Sequence, residues 1–160
     1  MKGVGSMRRL LSFIFAILIV VFAVMPNVYA EAQKDYGNLD MNRWVLIGKS
    51  NIDQDLLVDI TSFDYTASTH DRLLCNLWVC YFKQDNSYSL QNMTVDYFDK
   101  SYTIDSIVLY DKDGHIEYSE TDQWAKKNKI VPGSMAEIIH YVAFPPELME
   151  KFKEEAMKNK

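Results

Sequence analysis

The chain has 160 residues with 17 Lys and Arg against 22 Asp and Glu, and 48% of its side chains are hydrophobic. Lys2, Arg8 and Arg9 are the only charged residues among the first 30, so the 130 that follow carry 14 basic and 22 acidic side chains, a net charge of −8. That acidic balance excludes nucleic acid as the expected partner, and 130 residues suffice for one domain around one core.

Residues 1–30 read as a secretory signal peptide. Fifteen of the sixteen residues from Leu10 to Met25 are apolar, and Val28-Tyr29-Ala30 follows the break at Pro26-Asn27. The run is shorter than the roughly 20 residues that span a bilayer. Cleavage is expected near Ala30, with no cysteine beside it to carry a lipid, so the expected location is the periplasm or the cell surface. An uncleaved anchor is the alternative and would be the only membrane contact; either way the domain is exported.

Residues 31–42 are polar and unpatterned, as in a flexible arm, and the domain is expected over 43–144 with a helical tail over 145–160. Arg43 to Gly48 and Asp55 to Ile60 read as two short strands joined by a polar turn. Arg72 to Lys83 is apolar on both faces, with Leu73, Cys75, Leu77, Val79 and Tyr81 on one and Leu74, Trp78, Cys80 and Phe82 on the other. A strand of that kind belongs at the centre of a sheet. Tyr88 to Phe98 and Ser101 to Asp111 alternate like half-exposed antiparallel strands. Asp111-Lys112-Asp113-Gly114 marks a hairpin in which Gly114 takes the left-handed position, and His115 to Ser119 returns as a sixth strand.

After the strands, Val131-Pro132-Gly133-Ser134 opens a helix. Ser134 is placed to cap the amide of Glu137, with Glu137 reaching back to the Ser134 amide, and Met135, Ile138, Ile139 and Val142 form the stripe that should cover one sheet face. His140 falls beyond the centre of that stripe and reads as partly exposed. Pro145-Pro146 ends this helix, and Glu147 to Lys158 forms a second, whose Leu148, Met149 and Phe152 either dock loosely or meet a partner. The fold class is therefore α+β: an antiparallel sheet of about six strands, a capped helix across one face, and a short second C-terminal helix.

Chemistry-bearing residues are few. Cys75 and Cys80 lie five apart on one strand, which puts them on opposite faces with Cα atoms about 16 Å apart, beyond disulfide reach. Two buried free thiols are expected, an intermolecular bridge being the alternative. With His70, His115 and His140 they match no zinc spacing, and no residue is assigned to a metal or cofactor. Lys126, Lys127 and Lys129 read as a solvated loop, able to meet an acidic partner. A small exported hydrolase would have to draw on those histidines with Asp71 or Asp113. No Gly-x-Ser-x-Gly or His-Glu-x-x-His pattern brings them together, and no catalytic residue is named.

From Arg43 to Phe144 the chain resembles the surface-adhesin protein E-like domain family. The resemblance rests on Arg43-Trp44-Val45-Leu46-Ile47-Gly48, Asp59 with Ser62, Leu77-Trp78-Val79, Tyr88 and Tyr110-Asp111-Lys112-Asp113-Gly114. It continues with Trp124, Val131-Pro132-Gly133-Ser134 and Glu137. It implies an exported bacterial domain with an antiparallel sheet and a helix packed across it, and structural roles for Trp44, Trp78, Gly114, Trp124, Pro132, Gly133, Ser134 and Glu137. Members of the family often join the strand before the Tyr102 region to the end of the capped helix by a disulfide. Here those places hold Tyr97 or Phe98 and Phe144, implying an aromatic contact where loss of the bridge would cost about 2–5 kcal/mol.

The expected function is a non-catalytic module binding a protein of the host extracellular space, in line with the adhesins of that family. Sheet tyrosines such as Tyr88, Tyr97, Tyr102 and Tyr110 are the candidate contact surface. The alternative is a periplasmic envelope assembly or inhibitor protein docking a bacterial partner through a sheet edge or the 147–158 tail.

Overall fold

In the computed structural model, which describes residues 35–50, 52–69, 72–121 and 126–158, alternation along the strands sorts the side chains onto two sheet faces. The expected signal peptide over 1–30, the pair His70-Asp71 and Trp124 lie outside the described residues. Among those described, eight strands form one antiparallel sheet: β1 (Trp44–Lys49), β2 (Asp55–Asp59), β3 (Asp64–Thr69), β4 (Arg72–Phe82), β5 (Tyr88–Asp96), β6 (Ser101–Tyr110), β7 (Ile116–Thr121) and β8 (Asn128–Lys129). Two helices follow, α1 (Met135–Ala143) and α2 (Pro146–Lys158). The fold is α+β, with the six expected strands in the order β1-β2-β4-β5-β6-β7, and two further strands, β3 against β4 and β8 against β6.

β4 is central, as its two apolar faces require. Leu73, Cys75, Leu77 and Val79 point into a core closed by Ile139, while Cys80 and Phe82 point into a second cluster with Trp44, Leu57 and Tyr88. β2 and β3 share one side of β4 end to end, pairing with Val79 to Phe82 and with Arg72 to Asn76 respectively. Between them the backbone of β4 would lose a partner, and the Ser62 hydroxyl supplies one by accepting from the Trp78 N–H at 2.9 Å while donating to the Asp59 carbonyl at 2.7 Å. Asp59 is itself fully buried, and its carboxylate accepts from the Arg43 guanidinium and from the Thr61 N–H at 3.0 Å. Burial alone would raise its pKa; the hydrogen bonds from Arg43 and Thr61 outweigh that and hold it below the usual carboxylate range.

The hairpins reuse one device. Asp53, Asn86 and Gly114 end the β1–β2, β4–β5 and β6–β7 turns with φ of 63°, 68° and 84°. Asn and Asp tolerate this region, but Gly114 has a second reason: a Cβ there would stand 2.5 Å from Asn38 Nδ2. The Asn38 segment is part of the domain, because Tyr36 is buried with its ring 5.1 Å from that of Phe82. Packing is thus already established at Tyr36 rather than near Arg43, inside the expected arm over 31–42. A lone tyrosine in a polar stretch gives no periodic signal.

At α1, Ser134 Oγ accepts from the Glu137 N–H at 3.3 Å, as expected of the cap. Glu137 does not reach back to the Ser134 amide, however. That N–H already donates to the Val131 carbonyl, closing a turn with Pro132 second and Gly133 third at φ 76°, so Glu137 accepts from the Gly133 N–H at 2.8 Å instead. Ile139 is fully buried, with Met135, Ile138 and Val142 packed around it. Ile138 crosses β1 at Gly48, where a Cβ would stand 3.3 Å from its Cδ1. Met149 of α2 is 5% exposed in the same core, so this tail is docked.

We expect Ser134→Ala to cost about 1 kcal/mol and Ile139→Ala about 2–5 kcal/mol, read from urea midpoints at unchanged slope.

Candidate functional site

Of the histidines and acids of the hydrolase alternative, His115 and Asp113 come together at a turn, while the described residues bring no nucleophile to them and place His140 elsewhere. His140 is 9% exposed, not the partly exposed residue expected. It stacks on Tyr97 at 5.7 Å and 10° between planes, and its ring lies 5.4 Å from that of Phe144. The helix end turns it inward, where Tyr65 donates its hydroxyl to the Ala143 carbonyl at 2.6 Å and Tyr97 meets Phe144 edge-on at 5.3 Å. The Tyr97–Phe144 contact is therefore present. Nε2 of His140 is buried without a hydrogen-bond partner among the described residues. Burial pushes its pKa below 6.5, Lys100 adding to the shift and the Tyr97 backbone and Glu137 opposing it.

His115 sits on the β6–β7 hairpin with its side chain 79% exposed and its Nδ1 3.2 Å from Asp111 Oδ2. The carboxylate that the sequence did not fix beside it is thus there, brought round by the turn. Ligand atoms of Asp111, Asp113 and His115 lie within 4.8 Å of one another and could together hold a cation. Asp111 Oδ1 is already used by the N–H groups of Asp113, at 2.9 Å, and His115, at 2.8 Å, which makes it first a turn residue. The expected basic loop is largely neutralised: Lys127 pairs with Asp99 and lies 3.6 Å from Asp96, and Lys129 donates to the Asp99 carbonyl at 3.1 Å.

The four candidate tyrosines do not form one surface. Tyr97 and Tyr102 pack on the helix-covered core, whereas Tyr88 and Tyr110 stack at 4.5 Å on the opposite face. Tyr88 is also buried, which leaves it little area to offer.

That opposite face carries no helix among the described residues. Tyr36 and Leu39 pack over its Phe82 and Tyr88 end. Beyond them, cross-strand pairing lines up Leu46, Leu57, Cys80, Leu90 and Val108, with Trp78 beside the row and Ile116 next to Tyr110. Leu46 and Ile116 are 39% and 61% exposed, and Trp78, Leu90 and Val108 are half-buried. One end of the band is closed by a polar network. The Asn76 and Asn92 side-chain amides exchange hydrogen bonds at 2.9 Å, and Thr94 donates to Asp105 at 2.6 Å and Thr103 at 2.9 Å. The result is a partly exposed apolar surface with a hydrogen-bonded polar border.

The helix-covered side has a cleft of about 220 Å³ between the sheet and the start of α1. Its walls include Tyr81, Gln91, Met93, Tyr102 and Met135, with Lys129 at the rim. Neither this cleft nor the apolar band is marked by a motif. Strand alternation assigns parity within each strand, but bulges at Leu46/Gly48, Asn92/Met93 and Leu109/Tyr110 reset which residues share a row.

Of the eight residues given structural roles, Trp44 is buried in the cluster that holds Tyr36, Trp78 faces the open side, Gly114 closes its hairpin, and Pro132, Gly133, Ser134 and Glu137 build the α1 cap. Comparisons of the chain with family models, with curated proteins and with solved structures return no match.

His140 gives this region a pH signature. It is neutral in the fold and titrates near 6.5 when unfolded, so the unfolded chain binds more protons as pH falls below about 6.5. Its contribution is complete above that pH and is lost down to the lower, folded pKa. Urea titrations from neutral to mildly acidic pH should show the wild type losing stability relative to His140→Phe, with the two curves parallel above neutrality.

Proposed function

We propose that this is an exported, non-catalytic protein-binding module that meets its partner through the open sheet face. The observation that carries the reading is the solvent-facing apolar band of Leu46, Trp78, Leu90, Val108 and Ile116, bordered by the Asn76–Asn92–Thr94–Asp105 network. An exposed sheet face with a central aromatic and aliphatic band and satisfied polar groups at its margin suits a protein partner. Export is supported by the signal-peptide pattern at residues 1–30, and the class of partner, a host extracellular protein, by the resemblance to surface-adhesin protein E-like domains. A bacterial envelope partner is the other source and is an outcome of the same test. No nucleophile with a base and an orienting group is assembled among the described residues, which favours binding over catalysis.

The test is retention of purified host matrix and serum proteins, and separately of envelope proteins, on the immobilised protein. One protein should be held specifically. Leu46→Glu and Ile116→Glu, both at exposed positions on the band, should each weaken its binding at least about tenfold by placing a charge in a dry contact. Tyr141→Glu, at a position 64% exposed on α1, should leave it unchanged. Equal retention by all three variants, or none by the wild type, overturns the reading.

A further inference from the structure

We propose that the cleft beneath the start of α1 is a binding site for a small carboxylate carrying an aromatic-sized apolar body. The proposal is independent of the protein-binding reading, since the cleft opens on the helix-covered side of the sheet. Its floor is apolar, with Met93 and Ile104 from the sheet and Met135 and Ala136 from the helix. Its volume, about 220 Å³, exceeds that of the roughly 150 Å³ cavity that holds benzene, leaving room for one polar group beyond a ring.

That polar group is specified by what faces it. Tyr81 from β4 and Tyr102 from β6 both line the cleft, so their phenols face one space. Neither phenol, nor the Gln91 amide between them, has a side-chain hydrogen-bond partner among the described residues, and all three side chains are half-buried. Half-buried polar groups of this kind are satisfied by water, which the polar group of a ligand can replace. Burial, then the neighbouring Tyr102, pushes the Tyr81 phenol up to about 12. It therefore stays protonated and serves as an O–H donor. Two phenol donors suit the two oxygens of a carboxylate, whose hydrogen bonds are strengthened by its charge. Charge at the rim adds a weaker preference: the lining holds no acid and one cation, Lys129, whose exposed ammonium is shared with Asp99, 3.7 Å away. A cationic ligand, which two tyrosine rings alone would suit, meets the Lys129 charge instead.

The experiment is a methyl NMR titration of the full-length protein, labelled at methionine, with phenylacetate as the probe and phenylacetamide and phenethylammonium as comparisons. Phenylacetate should move the Met93 and Met135 methyls saturably and leave those of Met41 and Met149 in place. The neutral amide should bind at least about tenfold more weakly, and the ammonium should not compete. Tyr81→Phe and Tyr102→Phe should each weaken phenylacetate binding about tenfold or more without lowering the melting temperature, because each removes a hydroxyl that the protein itself does not use. A linear, unsaturated shift, a shift shared with Met41 and Met149, equal binding of the amide, or undiminished binding by both phenylalanine variants overturns the proposal. If a phenylalanine variant melts early, the amide comparison on the unaltered protein decides.

Discussion

A strand that is apolar on both faces leaves the chain little choice, and β4 imposes that constraint on everything around it. Its Cys75 side must be roofed, and the α1 stripe of Ile138, Ile139 and Val142 roofs it. Its Cys80 side must be shielded too, and here the shield is thinner: Trp44 and Leu57 from the neighbouring strands, with Tyr36 and Leu39 laid across one end. Unequal cover gives the two faces different fates. The roofed side supplies the rigidity and the cleft, and the thinly covered side is left with apolar area in contact with solvent.

The length of β4 creates a second demand. No single neighbour runs along all eleven of its residues, so β2 and β3 divide that side between them and the chain must cross from one to the other without orphaning a backbone donor. The Asp59–Ser62 turn does this. A carboxylate with no exposure would be costly if it stood alone, but Asp59 anchors Arg43 before β1 and Thr61 within the turn, while Ser62 fills the gap at Trp78. The start of β1, the end of β2 and the middle of β4 are thus tied together at one point.

Most of this architecture was legible because it rests on local patterns. Double-faced hydrophobicity placed β4 centrally, Asp111 to Gly114 specified the hairpin, and Ser134 with Glu137 located the start of α1. β3 escaped notice because Asp64-Tyr65-Thr66-Ala67-Ser68-Thr69 has one large apolar residue and is held by pairing to β4 rather than by its own pattern. His140 was misplaced for a related reason. Position on a helical wheel says how far a residue lies from the stripe, but not that Tyr97 and Phe144 will gather at that end of the helix. The surface and the cleft were illegible at the level of residues, since both are assembled across strands whose register is shifted by bulges.

The two cysteines of β4 sit on opposite sides of one backbone, buried in different clusters, and neither is bonded. Burial drives both thiols far from the thiolate form, Cys80 to about 12 and Cys75 higher still, so in an oxidising compartment they are protected by packing rather than by chemistry. Each becomes reactive only when its own side of the sheet opens. The strand therefore carries two independent clocks, one timing the lifting of the helix and the other the parting of the aromatic cover, and the ratio of their labelling rates measures which half of this domain breathes first.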